Sequence, residues 1–563
     1  MSPRFLASAL AVLACLAAPA RADEAEEEPD PAPVALGERL FLETRFAQFF
    51  AANAGGNVNA PLAAGDPVVD TTRTPDGDLP GPFAGESINC RACHLVDEQL
   101  DAPGGGMRTY TDFAVRSPVP AREDGLAATP RNAPPLVGAS RPRPGGLDLH
   151  FDGEFATMEG LVFGTLTGRN YGWLPREAAD AVAHVARVVR EDDGTGALAQ
   201  EFGGAYRRVL AGTDPSLPPE LVLPPELRVD VDSASDGEIV AAVARLIAAY
   251  ALQLSFATDD DDVFVGSPFD AFVAANGLPA RPDPGEGPDD FARRFRLAVE
   301  RLESPVFVDA GPFEFHDRDF VFGPRELRGL QVFVTTRSLP GRDGVGNCAA
   351  CHAPPEFTDF SFHNTGVSQS AYDAVHGAGR FARLRVPSLR RREREPARWL
   401  PATPLHPDAA EPFRRVPEAG RPLRADLGLW NVFANPDFPA PQERLGARLC
   451  DEALAHAPAS VQRSARVRAR WIARECTAPR LLPTALARFK TPGLRDLGHS
   501  APYFHDGQSA TLEDVVRFYD AAGELARRGK LRNGAPELRA IRLDDDDVDA
   551  LVRFLMSLDE DYS

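Results

Sequence analysis

Cys90-Arg91-Ala92-Cys93-His94 and Cys348-Ala349-Ala350-Cys351-His352 are two copies of one pentapeptide pattern, and they decide the fold of this 563-residue chain more than any other stretch. The pattern Cys-x-x-Cys-His is typical of c-type haem attachment, in which two thiols add to the haem vinyl groups and the adjacent His becomes the proximal iron ligand. The alternative is a disulfide or a zinc site, but a zinc site of this spacing usually has two further matching ligands. The motifs therefore predict two covalently bound haem c groups, with His94 and His352 as iron ligands.

A short amphipathic helix is predicted before each motif, because apolar residues recur there at the spacing of one helix face. This recurrence indicates an internal duplication of a haem-binding module. Few stretches alternate between apolar and polar residues, so strands are expected to be rare. We therefore expect a mainly α fold: two cytochrome c-like haem domains with long loops and insertions. The apolar residues are Leu36, Leu40 and Phe41 before the first motif and Leu327, Leu330 and Phe333 before the second.

Three parts of the chain are predicted. Residues 1–22 combine an early Arg, an apolar run and a small-residue cleavage pattern, which is typical of a signal peptide. Residues 33–322 are predicted to form the N-terminal haem domain with a helical insertion. Residues 323–563 are predicted to form the C-terminal haem domain. Packing of the last helix on the N-terminal domain is left open. Export predicts a periplasmic protein, and a membrane anchor is expected only if Cys15 carries a lipid.

The charge balance predicts which partners the chain avoids and attracts. The formal net charge is −21 at pH 7. Such an acidic protein is expected to bind no nucleic acid and to attract a basic partner, such as a small cytochrome.

Cys450 and Cys476 remain once the haem cysteines are assigned. In an oxidising compartment they are expected to pair and to clip an insertion between Trp430 and Arg488. Two buried free thiols are the alternative.

Seven stretches outside the haem motifs carry a family resemblance: FKTPGLRD at 489–496, APYFHDG at 501–507, TLEDVVRFY at 511–519, RNAP at 131–134, FDG at 151–153, SPFD at 267–270 and FHNTG at 362–366. They strongly resemble the bacterial di-haem cytochrome c peroxidase and MauG family. The resemblance implies a peroxidatic N-terminal haem that reacts with hydrogen peroxide and an electron-transfer C-terminal haem. It also implies a small c-type cytochrome or another redox protein as electron donor, and a calcium ion between the haems.

The resemblance extends to the axial ligands of the two irons. In that family the helix after the Phe-His-Asp-Gly segment supplies the sixth ligand of the C-terminal haem, and Tyr519 takes this position. A Tyr that only packs in the core is the alternative. At the N-terminal haem, no His occurs between His94 and His150, so the resemblance implies an open distal side. His150 is the nearest residue that could close it, although a packing or hydrogen-bonding role is favoured.

The acid/base residue of the N-terminal haem is where this chain departs from its family. Family peroxidases place a Trp before Asp-Gly and then a Gln and a Glu, where this chain has Phe151, Leu161 and Tyr171. Tyr171 can donate a hydrogen bond but is a poor base. Glu154 and Glu159 are substitute acid/base candidates, with a solvated helix face as the alternative.

The inter-haem calcium site has three candidate ligands by the same resemblance. They are the side chain of Asn132 and the backbone carbonyls of Ser500 and Pro502, all oxygen donors of the kind that calcium prefers.

Three functions stay open on the sequence. The first is an exported di-haem peroxidase-like oxidoreductase. The second is an oxygenase that activates dioxygen on an organic substrate, favoured by the less polar Leu161 and Tyr171. The third is a non-catalytic di-haem electron carrier, which predicts two six-coordinate irons inert to peroxide.

Overall fold

The computed structural model describes residues 30–60, 71–74, 77–80, 83–84, 87–94, 119–139, 141, 146–313, 318–337 and 344–560. The predicted signal peptide at 1–22 and Cys15 lie outside these residues and stay predictions. Helices predominate among the described elements, and the only sheets among them are short and two-stranded. The predicted fold class, mainly α with long loops and insertions, is confirmed. Within the described ranges, no helix is long and apolar enough to cross a membrane.

The first hydrophobic core is built on helix Ala32–Phe41, which packs against the long helix Asp236–Gln253. Ser235 begins the long helix, because its amide donates to the Glu238 carboxylate at 2.8 Å in a capping box. Gly37 permits the close crossing, since a Cβ there would lie 2.2 Å from the carbonyl oxygen of Leu246. The other helices of this part are Gln48–Asn53, Met158–Leu166, Ala178–Glu191, Ala197–Glu201 and Tyr206–Ala211.

The second core repeats this crossing. Helix Pro324–Val334 packs against the last helix, Asp545–Met556, and a Cβ at Gly329 would lie 2.0 Å from the carbonyl oxygen of Ala550. A glycine at the corresponding place in both helix pairs agrees with the duplication that the motifs predict. The other helices of this core are Pro268–Ala275, Pro288–Glu300 and Leu512–Arg527.

The two cores do not divide at the predicted boundary between residues 322 and 323. Phe269, Phe295 and Phe322 are buried in the second core, so residues 268–322 pack with the C-terminal helices. The last helix also packs within this core, and it is the residue after its end, Glu560, that reaches the N-terminal part, where it accepts a hydrogen bond from the Ala257 amide at 2.9 Å. Helix periodicity shows which face is buried but not which partner covers it.

A third core lies within the C-terminal half, between residues 362 and 487. Cys450 and Cys476 form a disulfide at its edge, with their Cα atoms 5.2 Å apart, so the predicted pairing is confirmed. The helices of this insertion are Val367–His376, Leu389–Arg394, Pro396–Trp399, Gln442–Ala455, Ala459–Arg463, Ala465–Glu475 and Ala478–Leu481.

Four two-stranded antiparallel sheets complete the described elements. One of them joins distant parts of the chain, because strand Phe489–Lys490 returns from the insertion to pair with Phe362–His363. The other pairs are Thr71–Thr74 with Gly77–Pro80, Phe83–Ala84 with Ser87–Ile88, and Val308–Pro312 with Asp319–Phe322.

Replacing Cys450 and Cys476 together by Ser is expected to destabilise the insertion. The disulfide joins residues 26 positions apart, and the chain entropy of a loop of this size predicts a loss of about 3 kcal/mol. Urea unfolding followed by circular dichroism measures the loss, with the intact mass before and after reduction as the control for bond formation. An unchanged urea midpoint would contradict a stabilising role.

Candidate haem sites and the seam between them

Both Cys-x-x-Cys-His motifs adopt the same local structure. Each begins with a 3-10 turn, Cys90–Ala92 or Cys348–Ala350. The amide of the following His donates to the carbonyl of the first Cys, at 3.0 Å for His94 and 2.8 Å for His352. In the described part of the chain the four motif cysteines form no disulfide, which disfavours the disulfide alternative and agrees with a role in binding the haem vinyl groups.

A zinc site fits these motifs poorly. In the described part of the chain, one group of metal-binding atoms lies within 4.8 Å of one another, and it joins Cys351 to His363 and Glu537. This group omits Cys348, the other thiol of the second motif, and no comparable group among the described residues involves the first motif. The paired thiols are therefore better explained by haem than by zinc.

His352 is oriented as a proximal iron ligand needs to be. Its Nδ1 lies 2.9 Å from the carbonyl oxygen of Phe357, so Nδ1–H donates there and Nε2 is left for the metal. Burial lowers the pKa of His352, which favours the neutral imidazole that binds iron.

His94 also presents a neutral imidazole. Burial, with a smaller effect from neighbouring His150, lowers the pKa of His94 to about 4 against the opposing effect of the Pro134 carbonyl. Its Nδ1 is buried without a hydrogen-bond partner among the described residues. The ring is thus uncharged at neutral pH and suited to iron through Nε2.

Tyr519 lies beside the second motif, on the helix that the resemblance indicates. Thr511 begins this helix, Leu512–Arg527, by accepting a hydrogen bond from the Asp514 amide at 3.1 Å. Burial raises the pKa of Tyr519, with Cys351 and Cys348 close enough to add to the effect. The hydroxyl is therefore near the second haem position, and its ligation of the iron stays a prediction.

The residues beside the first motif form a hydrogen-bonded pair, His150 and Glu154. A bridge between Leu149 and Phe155 closes a turn in which His150 adopts a left-handed backbone, with φ 61°. The turn brings Nδ1 of His150 within 3.1 Å of a Glu154 carboxylate oxygen. This contact is the hydrogen-bonding role favoured for His150, and it fixes the orientation of the ring.

A buried ion network holds this turn in place. Arg131 donates to Asp152 at 2.6 Å and to both carboxylate oxygens of Asp426 at 2.6 and 2.9 Å. Arg414 donates to Asp152 at 3.0 Å and pairs with Glu154. Burial alone would raise the pKa of Glu154, but the charge of Arg414 and its hydrogen bonds hold that pKa well below its usual value. Glu154 is therefore an anion that orients His150.

Neither of the other two acid/base candidates is suited to that role. The hydroxyl of Tyr171 is 3.3 Å from the Sγ of Cys90, and burial raises its pKa well above the usual value, so Tyr171 is a neutral hydrogen-bonding group and no base. Glu159 is exposed on the first turn of helix Met158–Leu166. The structure does not bring Glu159 to His94, in keeping with a solvated helix face.

Strand Phe489–Lys490 forms a seam between the two haem positions. On one side its residues pair with Phe362–His363, and His363 lies beside Cys351. On the other side the Lys490 amide donates to the carbonyl of Phe151 at 2.7 Å. The Phe489 ring stacks on His505 with centroids 3.6 Å apart. A single strand therefore contacts residues of both haem modules.

The predicted calcium ligands converge in part. The side-chain Nδ2 of Asn132 donates to the carbonyl of Pro502, and the backbone amide of Asn132 donates to the His505 carbonyl at 2.7 Å. The side-chain oxygen of Asn132 is buried without a hydrogen-bond partner in the described part. Ser500 lies two residues before Pro502, with its hydroxyl on the Asp496 carbonyl. Calcium at this point stays a prediction.

Two members of the ion network had no signal in the sequence patterns. Arg414 and Asp426 lie in the insertion, outside every matched stretch, and the Arg414 contact to Glu154 spans 260 residues. Arg131 begins the matched stretch at 131–134, but no spacing assigns it a partner. The sequence gives only an indirect indication of these two residues, because acidic residues on a buried turn require cationic partners elsewhere in the fold.

The fold and these sites define a mainly helical protein with two c-type haem motifs, one in each of two similarly built helical cores. The first motif lies beside a His and a carboxylate, and the second lies beside a half-buried Tyr. Comparison with known proteins shows which proteins the chain resembles.

No protein-family model matches the chain. The cytochrome-c peroxidase IdrP1 of Denitromonas iodatirespirans is 37% identical over 76 residues, 14% of this chain and 19% of that protein. The methylamine utilization protein MauG of Methylophilus methylotrophus is 37% identical over 71 residues, 13% of this chain and 20% of that protein. The chain thus spans about a fifth of the length of these curated relatives. It is similar to bacterial di-haem cytochrome c peroxidases and MauG, as its motifs predict.

Two solved structures align with most of the chain. A MauG-like protein associated with microbial copper homeostasis aligns at 16% identity and a TM-score of 0.42, covering 96% of this chain and 95% of that one. The diheme peroxidase BthA from Burkholderia thailandensis aligns at 17% identity and a TM-score of 0.40, covering 94% and 87%.

Replacing Tyr519 by Phe is expected to change the ligand-sensitive absorption and paramagnetic resonance bands of one haem only, because the variant loses the phenol oxygen near the second motif. Phe518→Leu, on the same helix, serves as the control and is expected to leave both haems unchanged. If the second haem keeps its bands in Tyr519→Phe, Tyr519 is not a ligand.

Replacing Glu154 by Gln is expected to destabilise the protein at pH 7 by about 2 kcal/mol, because Arg414 and His150 lose a buried anion. The folded pKa of Glu154 is lowered from 4.5, so its contribution is fully present above pH 4.5 and is lost as the pH falls through the lowered value.

Urea unfolding at pH 7 and near pH 3 measures this dependence, with the exposed Glu159→Gln as the control. The free energy of unfolding of the wild type should clearly exceed that of Glu154→Gln at pH 7, and the difference should be smaller near pH 3. An equal difference at both pH values would show that the Glu154 charge is not the stabilising element.

Proposed function

We propose that this chain is an exported di-haem oxidoreductase of the cytochrome c peroxidase and MauG type. It reduces hydrogen peroxide at the N-terminal haem with electrons that pass through the C-terminal haem. One observation carries this proposal: the two motifs have unequal surroundings. His94 neighbours the pair of His150 and Glu154, whereas the second motif neighbours the half-buried Tyr519. One site suits a reaction with an external ligand and the other suits a closed electron store.

The proton chemistry of peroxide reduction is assigned to His150. Haem iron held by His94 supplies the redox chemistry that cleaves the O–O bond, and a protein group has to carry a proton from one peroxide oxygen to the other. His150 suits this task because its Nδ1 is held by Glu154 and its Nε2 is left for the substrate. An imidazole can take and return a proton near neutral pH. His150 thus replaces the family Glu that this chain lacks.

Tyr171 has a supporting role in this proposal. Its buried hydroxyl lies against Cys90, where the haem edge is attached, and its high pKa keeps it protonated. It can steady the thioether and exclude water from that edge. It cannot accept the peroxide proton.

Electrons are proposed to cross between the haems at the seam. The family Trp is replaced by Phe151, which is hard to oxidise, so a charge is not expected to reside there. The rings of Phe151 and His505 are 6.4 Å apart, and Phe489 stacks on His505. This compact stack supports direct tunnelling through packed atoms instead of stepwise oxidation of one side chain.

Export of the protein and a bound calcium ion are parts of the same proposal. The Cys450–Cys476 disulfide supports export, because such bonds persist in oxidising compartments. Asn132 supports calcium, because its side-chain oxygen is buried without a hydrogen-bond partner among the described residues, and calcium prefers such oxygen donors.

Stopped-flow spectroscopy of the haem-loaded protein is the direct test. Peroxide is expected to change the spectrum of the first haem and then that of the second, without oxygen uptake. Inert haems would contradict the proposal and favour the electron carrier. Consumption of dioxygen with an organic substrate, in the absence of peroxide, would favour the oxygenase.

His150→Gln separates the acid/base role from folding in the same experiment. The variant is expected to slow the peroxide reaction by about 100-fold while keeping both haems, because proton transfer typically contributes this much. Tyr171→Phe is the matched control, with an expected change below about threefold. A His150→Gln rate equal to the wild type would remove His150 from the mechanism.

A further inference from the structure

Charge is distributed very unevenly along this acidic chain. Residues 377–490 contain 22 arginines and lysines but 11 aspartates and glutamates, a net charge of +11. Because the whole chain carries −21, the remaining residues carry −32. The insertion is therefore a basic body attached to a strongly acidic one.

The excess arginines lie on the surface. Residues 380–398 and 463–480 present thirteen exposed arginines and only three glutamates. These two segments meet, because helix Ala478–Leu481 packs against helix Leu389–Arg394 and follows directly after helix Ala465–Glu475. We refer to the exposed arginines of the two segments as the basic face.

The fold holds these charges outward. Arg392 is the buried exception, and it anchors its helix by donating to the carbonyls of Trp430, Phe433 and Ala434 at 2.6 to 2.7 Å. Helix Ala465–Glu475 buries no residue and is tethered at its end by the disulfide at Cys476. Because this arginine-rich helix buries no residue, its packing contributes little to the stability of the third core.

Aromatic rings lead inward from the basic face. The guanidinium groups of Arg391 and Arg398 lie 5.1 and 4.7 Å from the ring centre of Trp399. Trp399 stacks on Phe413 at 5.9 Å, and Phe413 packs against Trp430 at 5.3 Å.

The inner end of this aromatic row reaches the seam. Trp430 follows Leu429, whose amide donates to the Arg488 carbonyl at 2.9 Å, and a Cβ on Gly428 would lie 3.0 Å from the Phe489 ring. Phe489 is the ring that stacks on His505 between the haem modules. The basic face is thus connected to the seam by three packed aromatic side chains and then by the backbone of residues 428–429, which contacts Arg488 and Phe489.

We propose that the basic face is the docking surface for an acidic redox protein, which exchanges electrons with the haem pair across Trp399, Phe413 and Trp430. This inference rests on the proposed function. It reverses the sign expected from the net charge, which predicts a basic partner. In a protein with such separated charges, the local field at the docking surface selects the partner.

A compact protein fits this surface better than an extended polyanion. Nucleic acid or an anionic membrane would also face the body that carries −32, and like charges repel. The exposed helix Ala465–Glu475 also lacks a continuous apolar face, since Val467 is 40% exposed among its arginines. A small acidic protein can contact the basic face alone.

The electron balance is that of peroxide reduction. Two reduced partner molecules each give up one electron, and hydrogen peroxide takes up both electrons and two hydrogen ions from the solution to yield two water molecules. Each partner leaves with its metal one electron more oxidised, so no other reactant is needed.

The test compares one probe protein in two charge states. A basic mitochondrial cytochrome c and the same protein succinylated on its lysines, which makes it acidic, are each titrated against the haem-loaded chain at low ionic strength. The succinylated form is expected to bind more tightly. Arg390→Glu with Arg394→Glu is expected to weaken this binding by at least about tenfold, and added salt should remove the difference.

Arg293→Glu with Arg301→Glu is the matched control, because it makes the same charge change on exposed residues outside the basic face. It is expected to alter the binding by less than about twofold. Circular dichroism and haem content establish that both double variants fold. Tighter binding of the native cytochrome, or equal effects of the two double variants, would overturn the docking surface. So would binding to phosphatidylglycerol vesicles without binding to the succinylated cytochrome.

A second readout separates this inference from the proposed function. Peroxide-dependent oxidation is measured with the reduced succinylated cytochrome and with a small neutral reductant. Turnover of the small reductant without oxidation of the bound cytochrome would overturn electron exchange at the basic face. Turnover of neither would overturn the proposed function, while the binding measurement still decides the docking surface.

Discussion

Two arginines with little exposure, Arg131 and Arg414, hold the turn beside the first haem motif against the insertion. Each is neutralised by Asp152 on the turn beside the first haem motif, and each has a second carboxylate partner, Asp426 or Glu154. Removing one partner would leave a buried charge without compensation, so the five charged groups depend on one another. The orientation of His150, and with it the acid/base role proposed for this residue, depends on this network.

Much of the fold follows from the local pattern of the sequence. The haem motifs, the helices before them and the pairing of Cys450 with Cys476 all have spacing or chemistry that predicts them. The placement of residues 268–322 does not, because aromatic residues on a helix face indicate burial without naming the surface that covers them. The same limit applies at the site. Tyr519 is found from a motif, whereas Arg414 reaches Glu154 from 260 residues away, and such contacts exist only in the folded chain.

The uneven distribution of charge is consistent with the unequal roles proposed for the two haems. The acidic body holds both haem motifs, and the basic insertion carries the aromatic row that ends at the seam. A partner attracted to the insertion would meet the path to the electron-storing haem while the first haem stays free for a small ligand. Net charge alone conceals this arrangement, because −21 is the sum of +11 and −32.

Unequal haem irons are the central claim, and cyanide titration of the oxidised, haem-loaded protein tests it most directly. Cyanide binds ferric haem only where a coordination position is open. The proposed function predicts that one equivalent binds, at the haem held by His94, while the haem of His352 keeps its spectrum. Binding of two equivalents, or of none, would contradict the assignment of one reactive and one closed iron.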